Sequence, residues 1–160
     1  MYWDWTAAIY SVTAFLPAYV ANAVPTVLGG GAPVDLGHDF PDGRRVFGKN
    51  KTIRGLISGL TAGTLTGLIQ NAVFTGFTLS LGALLGDLMG SFIKRRLGIP
   101  PGKPLPILDQ LSFVAGAFLL SALFSSFDIV VAYYVVILTP VFHVATNLLA
   151  YLLKIKPVPW

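Results

Sequence analysis

The sequence contains no cysteine and no glutamate. The first absence removes disulfides, thiol nucleophiles and thiolate metal sites, so redox compartment cannot be read from it. The second leaves aspartate as the only carboxylate side chain. Charge of either sign is scarce: charged residues make up 11% of the chain and hydrophobic residues 54%, against roughly a quarter charged in soluble domains. Residues 5–34, 55–86 and 129–153 carry no charge at all. No basic stretch precedes the first apolar segment, and Asp4 stands where a signal peptide would carry Lys or Arg, so that segment is expected to be retained. The two histidines, His38 and His143, have no serine partner at a spacing that suggests a nucleophilic triad, and isolated histidines are ordinarily solvated or packed.

What is present belongs in lipid. Mean hydropathy is +0.72. A spanning helix takes roughly 20 apolar residues, so 55–86 is too long for one crossing and reads as two, with Gln70-Asn71 and Thr75-Gly76-Phe77-Thr78 supplying the turn. The expected fold is an all-α integral membrane domain of about five transmembrane helices, over about 6–28, 52–71, 76–97, 105–127 and 129–153, with loops about 29–51 and 98–104. It is a single unit without repeats, linkers or low-complexity segments. Pro17, Pro25 and Pro140 are candidate kinks.

Charge placement tests that topology. Such an arrangement puts the first loop, the third loop and the C-terminal tail on one side. They hold Arg44, Arg45, Lys49, Lys51 and Arg54; Lys94, Arg95, Arg96 and Lys103; and Lys154 and Lys156, which together are all 11 basic residues. The positive-inside rule then sets the N-terminus outside, the C-terminus and basic loops in the cytoplasm, and any site they build on the cytoplasmic face of a multi-pass cell-membrane protein. Tyr2, Trp3, Trp5 and Trp160 suit interfacial belts. Gly55, Gly59, Gly63 and Gly67, and Gly82, Gly86 and Gly90, recur every fourth residue. These smooth stripes serve either close contact between the second and third helices or a face between copies in a homo-oligomer.

Two carboxylates fall near the basic face, Asp87 and Asp109. At 100° per residue Asp87, Ser91, Lys94 and Arg95 share one side of their helix. A carboxylate against hydrocarbon marks a functional site or a structural pair, here with Arg95 or Lys103. Mg²⁺ typically takes one or two carboxylates plus substrate phosphates, and Asp87 with Asp109 is the candidate metal pair. Residues 48–55 open the second helix, where free N–H groups and the helix dipole attract anions. There Asn50 or Thr52 can cap, and Lys51 can neutralise a phosphate oxygen, although the glycine spacing is not that of a Walker loop. The same cluster would also contact anionic headgroups. The long Gly/Pro-rich first loop reads as the cover of a site, and Asn22, three residues before Pro25, as a polar contact to the same pocket or to kinked backbone.

These residues resemble the CDP-diacylglycerol synthase superfamily along most of the chain, and its archaeal CDP-archaeol synthase branch in particular. Lys51-Thr52 with Gly55, Gly86-Asp87-Leu88 with Ser91 and Lys94-Arg95, and Pro106-Ile107-Leu108-Asp109 carry the likeness in order. Asn22, Pro25, Gly29 to Gly31, Asp42-Gly43-Arg44 and Lys49 are similar to the archaeal branch. The bacterial signature's His-Gly-Gly is absent, and Asp109-Gln110-Leu111-Ser112 stands where its Asp-Arg-x-Asp would end. The resemblance implies a transfer from CTP to the phosphate of an unsaturated archaeal ether lipid, with membrane lipids and no nucleic acid as partners. A lipid phosphate is largely dianionic above its second pKa of about 6, so the nucleophile hardly needs a general base. The implied catalytic set is Asp87, Asp109, Lys94 and Lys51, with Mg²⁺ held by the two aspartates. The implied substrate contacts are Asn22, Asp42, Arg44, Lys49, Asn50, Lys51, Thr52, Arg54, Ser91, Lys94, Arg95 and Lys103, with Arg44 or Arg54 on the lipid phosphate.

Three alternatives stand beside this reading. A small transporter or channel would use Asp87 and Asp109 along an ion path, but the outer halves of all spans are nearly devoid of polar groups. A non-enzymatic anionic-lipid binder would need neither CTP nor Mg²⁺. A CDP-alcohol phosphotransferase is suggested by Asp39-Phe40-Pro41-Asp42-Gly43, yet the rest of that family's motif is missing.

Overall fold

The computed structural model describes residues 3–124 and 128–154; the expectations placed on Tyr2, Phe127, Lys156 and Trp160 lie outside them. Helices run α1 (Trp5–Ala14), α2 (Leu16–Ala23), α3 (Pro25–Leu28), α4 (Ile53–Ile69), α5 (Val73–Arg96), α6 (Pro106–Ala122) and α7 (Ile129–Leu152). Among the described residues there is no strand, only isolated bridges between Pro33 and Thr52 and between Asp39 and Arg45. The domain is all-helical, as its hydropathy pattern requires.

The first apolar stretch is broken rather than continuous. Pro17 has no N–H to give the carbonyl four residues back, and that carbonyl, Thr13 O, is taken instead by Gln70 Nε2 at 2.7 Å. The chain bends by 52° between Ala14 and Leu16, and Pro25 starts a further short helix, so 6–28 folds as α1, α2 and α3. Pro140 produces no such break, and α7 runs through it. The second turn also differs from expectation. It is confined to residues 70–72, with Asn71 in the left-handed region at φ 57°, and Thr75 to Thr78 are already helical. The reason is packing: a Cβ on Gly76 would lie 2.5 Å from Gly67 Cα, so Gly76 is the point where α5 touches α4.

Glycine decides which helix faces meet. On α4 the buried residues are Gly55, Gly59, Gly63 and Gly67, while Ile57, Leu65 and Leu68 point outward. A Cβ on Gly63 would sit 2.0 Å from Ser80 Oγ. The second stripe, Gly82, Gly86 and Gly90, faces α6 rather than α4: added Cβ atoms would meet Gly116 O at 2.5 Å, Ser112 O at 2.2 Å and Ser112 Oγ at 2.6 Å. Both stripes therefore serve packing within one chain, with α5 central. Phe15, Ala18, Leu79, Ala83, Phe113, Val114, Ala117 and Val135 fill the core. Small residues inward and large apolar ones outward is the pattern of a protein whose surroundings are hydrocarbon. Among the described residues two helices are long and apolar enough to cross a membrane, α5 and Ile129–Leu149 of α7, and α1 with α2 and α3 makes a third if the bent pair is one span. The apolar helices α4 and α6 are shorter, at 17 residues each.

Gly86→Ala forces a methyl group against the Ser112 carbonyl and should destabilise the fold by about 1–3 kcal/mol, whereas Thr61→Ala on the exposed face of α4 should change it by less than about 0.5 kcal/mol. Thermal unfolding in detergent checks the contrast.

Candidate active site

The first loop owes its shape to one carboxylate. The Asp35 side chain has 0% exposure and accepts hydrogen bonds from the N–H groups of Gly48 at 2.8 Å, Phe47 at 3.0 Å and Gly37 at 3.2 Å, as well as from the Arg45 guanidinium. Burial by itself would raise its pKa; the Arg45 and backbone donors outweigh burial and hold the carboxyl well below the usual range. The far side of the loop is fastened to the end of α5. Arg44 donates to the carbonyls of Arg95 and Arg96, and Arg96 Nη2 returns bonds to the carbonyls of Arg44 at 3.1 Å and Arg45 at 2.7 Å. Arg96 Nε lies 2.8 Å from Asp42 Oδ2, and the same guanidinium packs over Phe40 at 4.7 Å and Phe92 at 4.6 Å.

Between this loop and the helix ends lies a cavity of about 680 Å³. Each of its two carboxylates meets a lysine. Lys51, just before α4, donates to Asp87 Oδ2 on α5, and Lys94 on α5 reaches both oxygens of Asp109 on α6, at 2.8 and 2.9 Å. Asp109 also accepts from Leu105 N at 2.8 Å, tying the start of α6. Lys49, Arg95 and Lys103 complete the lining cations, and none of them forms a salt bridge among the described residues. Arg95 is 7% exposed, and its Nε finds no hydrogen-bond partner. Five cations against two carboxylates make a site for a polyanion. Thr52 caps α4, its Oγ1 accepting from Gly55 N at 3.1 Å and Gly30 N at 3.2 Å, and so holds the glycine loop to the cavity's edge.

Most of the sequence-derived candidates line this one space: Asn22, Lys49, Asn50, Lys51, Thr52, Asp87, Ser91, Lys94, Arg95, Lys103 and Asp109. Asp42, Arg44 and Arg54 do not. Asp42 and Arg44 belong to the loop clasp, and Arg54 Nε donates to Leu28 O at 2.8 Å. The structural pairs considered for the aspartates, Arg95 or Lys103, are replaced by Lys51 and Lys94. Gln110, His143 and Asn147 also line the cavity; of these only His143 stood out in the sequence, as an isolated histidine expected to be solvated or packed. For the last two the available signal was an i, i+4 polar pair inside an otherwise apolar helix.

The donor chemistry fits Mg²⁺. Among the described residues no group of three or more His, Cys, Asp or Glu could hold a metal by itself. An ion drawing one or two carboxylates from the protein and the remainder from phosphate oxygens needs no such group. Asp87 is the better placed of the two, since only its Oδ2 is engaged by Lys51.

A helical, lipid-facing fold enclosing a cation-rich cavity with paired lysines and aspartates defines a membrane-embedded enzyme acting on phosphate compounds. The family model described as CarS-like, CDP-archaeol synthase, matches residues 5–78 and 71–160. The chain belongs to the CDP-archaeol synthase family. The CDP-archaeol synthase of Pyrococcus furiosus is 46% identical over 156 residues, covering 91% of this chain and 93% of its own; that of Aeropyrum pernix is 45% identical, covering 98% and 96%. A solved structure described as an intramembrane enzyme for archaeal membrane lipids biosynthesis superposes with a TM-score of 0.79 at 43% identity, over 87% of this chain and 93% of that one.

Because the Asp35 pKa is lowered on folding, the stability it contributes is complete above the unfolded value of about 3.9 and is lost as pH falls below it. Limited proteolysis should therefore find the 29–52 loop protected at pH 7 and increasingly cut below about pH 4. Asp35→Asn should expose it at pH 7, with a loss of about 1–3 kcal/mol.

Proposed function

We propose that this chain is a Mg²⁺-dependent cytidylyltransferase that joins CTP to the phosphate of an unsaturated archaeal ether lipid, giving a CDP-activated lipid and pyrophosphate. The observation that carries the reading is the cavity in which Lys51–Asp87 and Lys94–Asp109 stand beside Lys49, Arg95 and Lys103, which form no salt bridge among the described residues. The names of the relatives, CDP-archaeol synthases, supply the lipid class, and family membership supports the nucleotide.

In this reading a lipid phosphate oxygen attacks the α-phosphorus of CTP. The bond from that phosphorus to the oxygen bridging to the β-phosphate breaks, and pyrophosphate leaves with the electron pair. No proton need be removed from a dianionic phosphate. What the protein supplies is alignment and charge. Asp87 and Asp109 would hold a Mg²⁺ ion, whose positive charge would offset the charge developing on the leaving group. Lys51 and Lys94 move from carboxylate to phosphate oxygens as the nucleotide enters. Arg95, with its partnerless Nε, takes a phosphate oxygen, and Lys49 and Lys103 at the loop edges offset the remaining charge. Ser91, Asn50 and Asn22 offer neutral polar contacts, and Thr52 keeps the start of α4 presented.

The same proposal sets α4 and α6 across the bilayer with the other three spans. At about 1.5 Å per residue their 17 residues reach the short end of the spanning range. The N-terminus is then outside and the cavity cytoplasmic, where soluble CTP meets a membrane-held partner.

Purified protein given Mg²⁺, a phosphorylated archaeal ether lipid and each ribonucleoside triphosphate in turn should release pyrophosphate and form a nucleotide-linked lipid with CTP alone, and EDTA should stop it. Asp87→Asn should lower turnover at least about 100-fold while eluting from detergent size exclusion as the wild type does. Lipid binding without turnover of any triphosphate would favour a non-enzymatic lipid binder instead.

A further inference from the structure

The cavity has two chemically different walls. Its five cations come from the first loop, the segment before α4, the end of α5 and the third loop, and none comes from α7. From α7 the lining residues are His143, Val144 and Asn147, one face of a helix by their i, i+1 and i+4 spacing. Opposite them the α2–α3 stretch contributes Asn22, Pro25, Thr26 and Val27. Among the described residues α3 packs on α2 and α4 and does not contact α7. Val27 and Val144 both line the cavity and are nevertheless 62% and 59% exposed. The wall is therefore incomplete here, and the cavity reaches the apolar outer surface of the helices between α3 and α7.

At that opening stands a hydrogen-bonding pair. Asn147 Nδ2 lies 3.2 Å from His143 Nδ1. The contact orients the imidazole, which with Asn147 makes a polar pair on the cavity face of an otherwise apolar helix. Asn147 is 9% exposed, so its amide is held by the surrounding protein and can position the ring. His143 lies nine residues before Leu152, the end of α7, and Asp87 nine before Arg96, the end of α5. Each is therefore roughly 13 Å along its own helix from that end.

We propose that His143, positioned by Asn147, is a specificity-determining contact for the glycerol-phosphate end of the lipid substrate, which enters through the opening between α3 and α7. The inference rests on the synthase reading for its substrate. The triphosphate belongs with the cations, and the polar α7 wall without lysine or arginine suits the lipid's glycerol-phosphate oxygens close to the point where acyl or isoprenoid chains must remain in hydrocarbon. Val27 and Val144 flank the chains, and His143 meets the first oxygens they carry.

Two measurements on wild type, His143→Phe, Asn147→Leu and Val144→Trp test it. In the first, Kd for the lipid phosphate is measured without CTP. In the second, KM for lipid and for CTP are measured separately at saturation of the other. The expected result is a roughly tenfold rise in lipid Kd and lipid KM with KM for CTP unchanged. His143→Gln, which keeps a side-chain N–H, should recover most of the loss. Val144→Trp, a substitution on an exposed surface, narrows the opening without removing the donor; it should impair the long-chain lipid while sparing a water-soluble short-chain phosphate. Unchanged lipid Kd in folded His143→Phe and Val144→Trp overturns the inference, as does an equal rise in KM for CTP. A wild type that turns over no triphosphate sinks the synthase reading alone, because the lipid Kd comparison still decides whether His143 holds the headgroup.

Discussion

The rest of the structure depends on where two aspartates can be tolerated in a body this apolar. Asp87 and Asp109 sit on helices whose other faces are glycine or lipid-facing hydrocarbon, and an unpartnered carboxylate there would destabilise the fold. Lys51 and Lys94 answer that constraint. In doing so they tie the entrance of α4 to the middle of α5 and the end of α5 to the start of α6. The pairs are partly exposed to the cavity, with lysine and aspartate side chains at 28% and 26% in one case and 11% and 28% in the other. They are thus fixed enough to hold geometry and open enough to exchange partners with an incoming polyanion.

Around those ties, backbone packing and loop chemistry divide the work. The glycine stripes bring α4 and α6 against α5 with main chain touching main chain, which places the helix ends within reach of one cavity. Asp35 then closes the first loop from inside, while Arg44, Arg96 and Asp42 clasp its outer side to the last turn of α5. Cations at the C-terminal end of α5 also suit the helix dipole there, so Lys94, Arg95 and Arg96 stabilise the helix that carries them as well as the site.

The helical fold, the internal use of the glycines and the family were legible in the sequence, since each is written in local composition or short ordered motifs. Residues 75–78 were not: Gly and Thr favour turns in water, but between lipid-facing helices Gly76 is wanted for close approach to Gly67. The first span's prolines announced a disturbance, yet the position of the bend followed from Gln70 reaching the Thr13 carbonyl, a contact far apart in sequence. The family resemblance implied Asp42, Arg44 and Arg54 as substrate contacts; in the structure they bond to Arg96 and to neighbouring backbone and do not line the cavity. Asp35 gave no signal because its donors converge only when the loop closes. His143 and Asn147 were visible as residues, but the wall they share with Val27 depends on how α7 sits relative to α3.

The most direct test of the account is calorimetric titration of Mg²⁺–CTP into the purified protein and into Lys51→Met at two ionic strengths. One site per chain is expected, with weaker binding at the higher salt and a loss of about tenfold or more in Lys51→Met that still elutes as folded protein. Absence of nucleotide binding in the wild type, or binding that ignores both salt and Lys51, would contradict it.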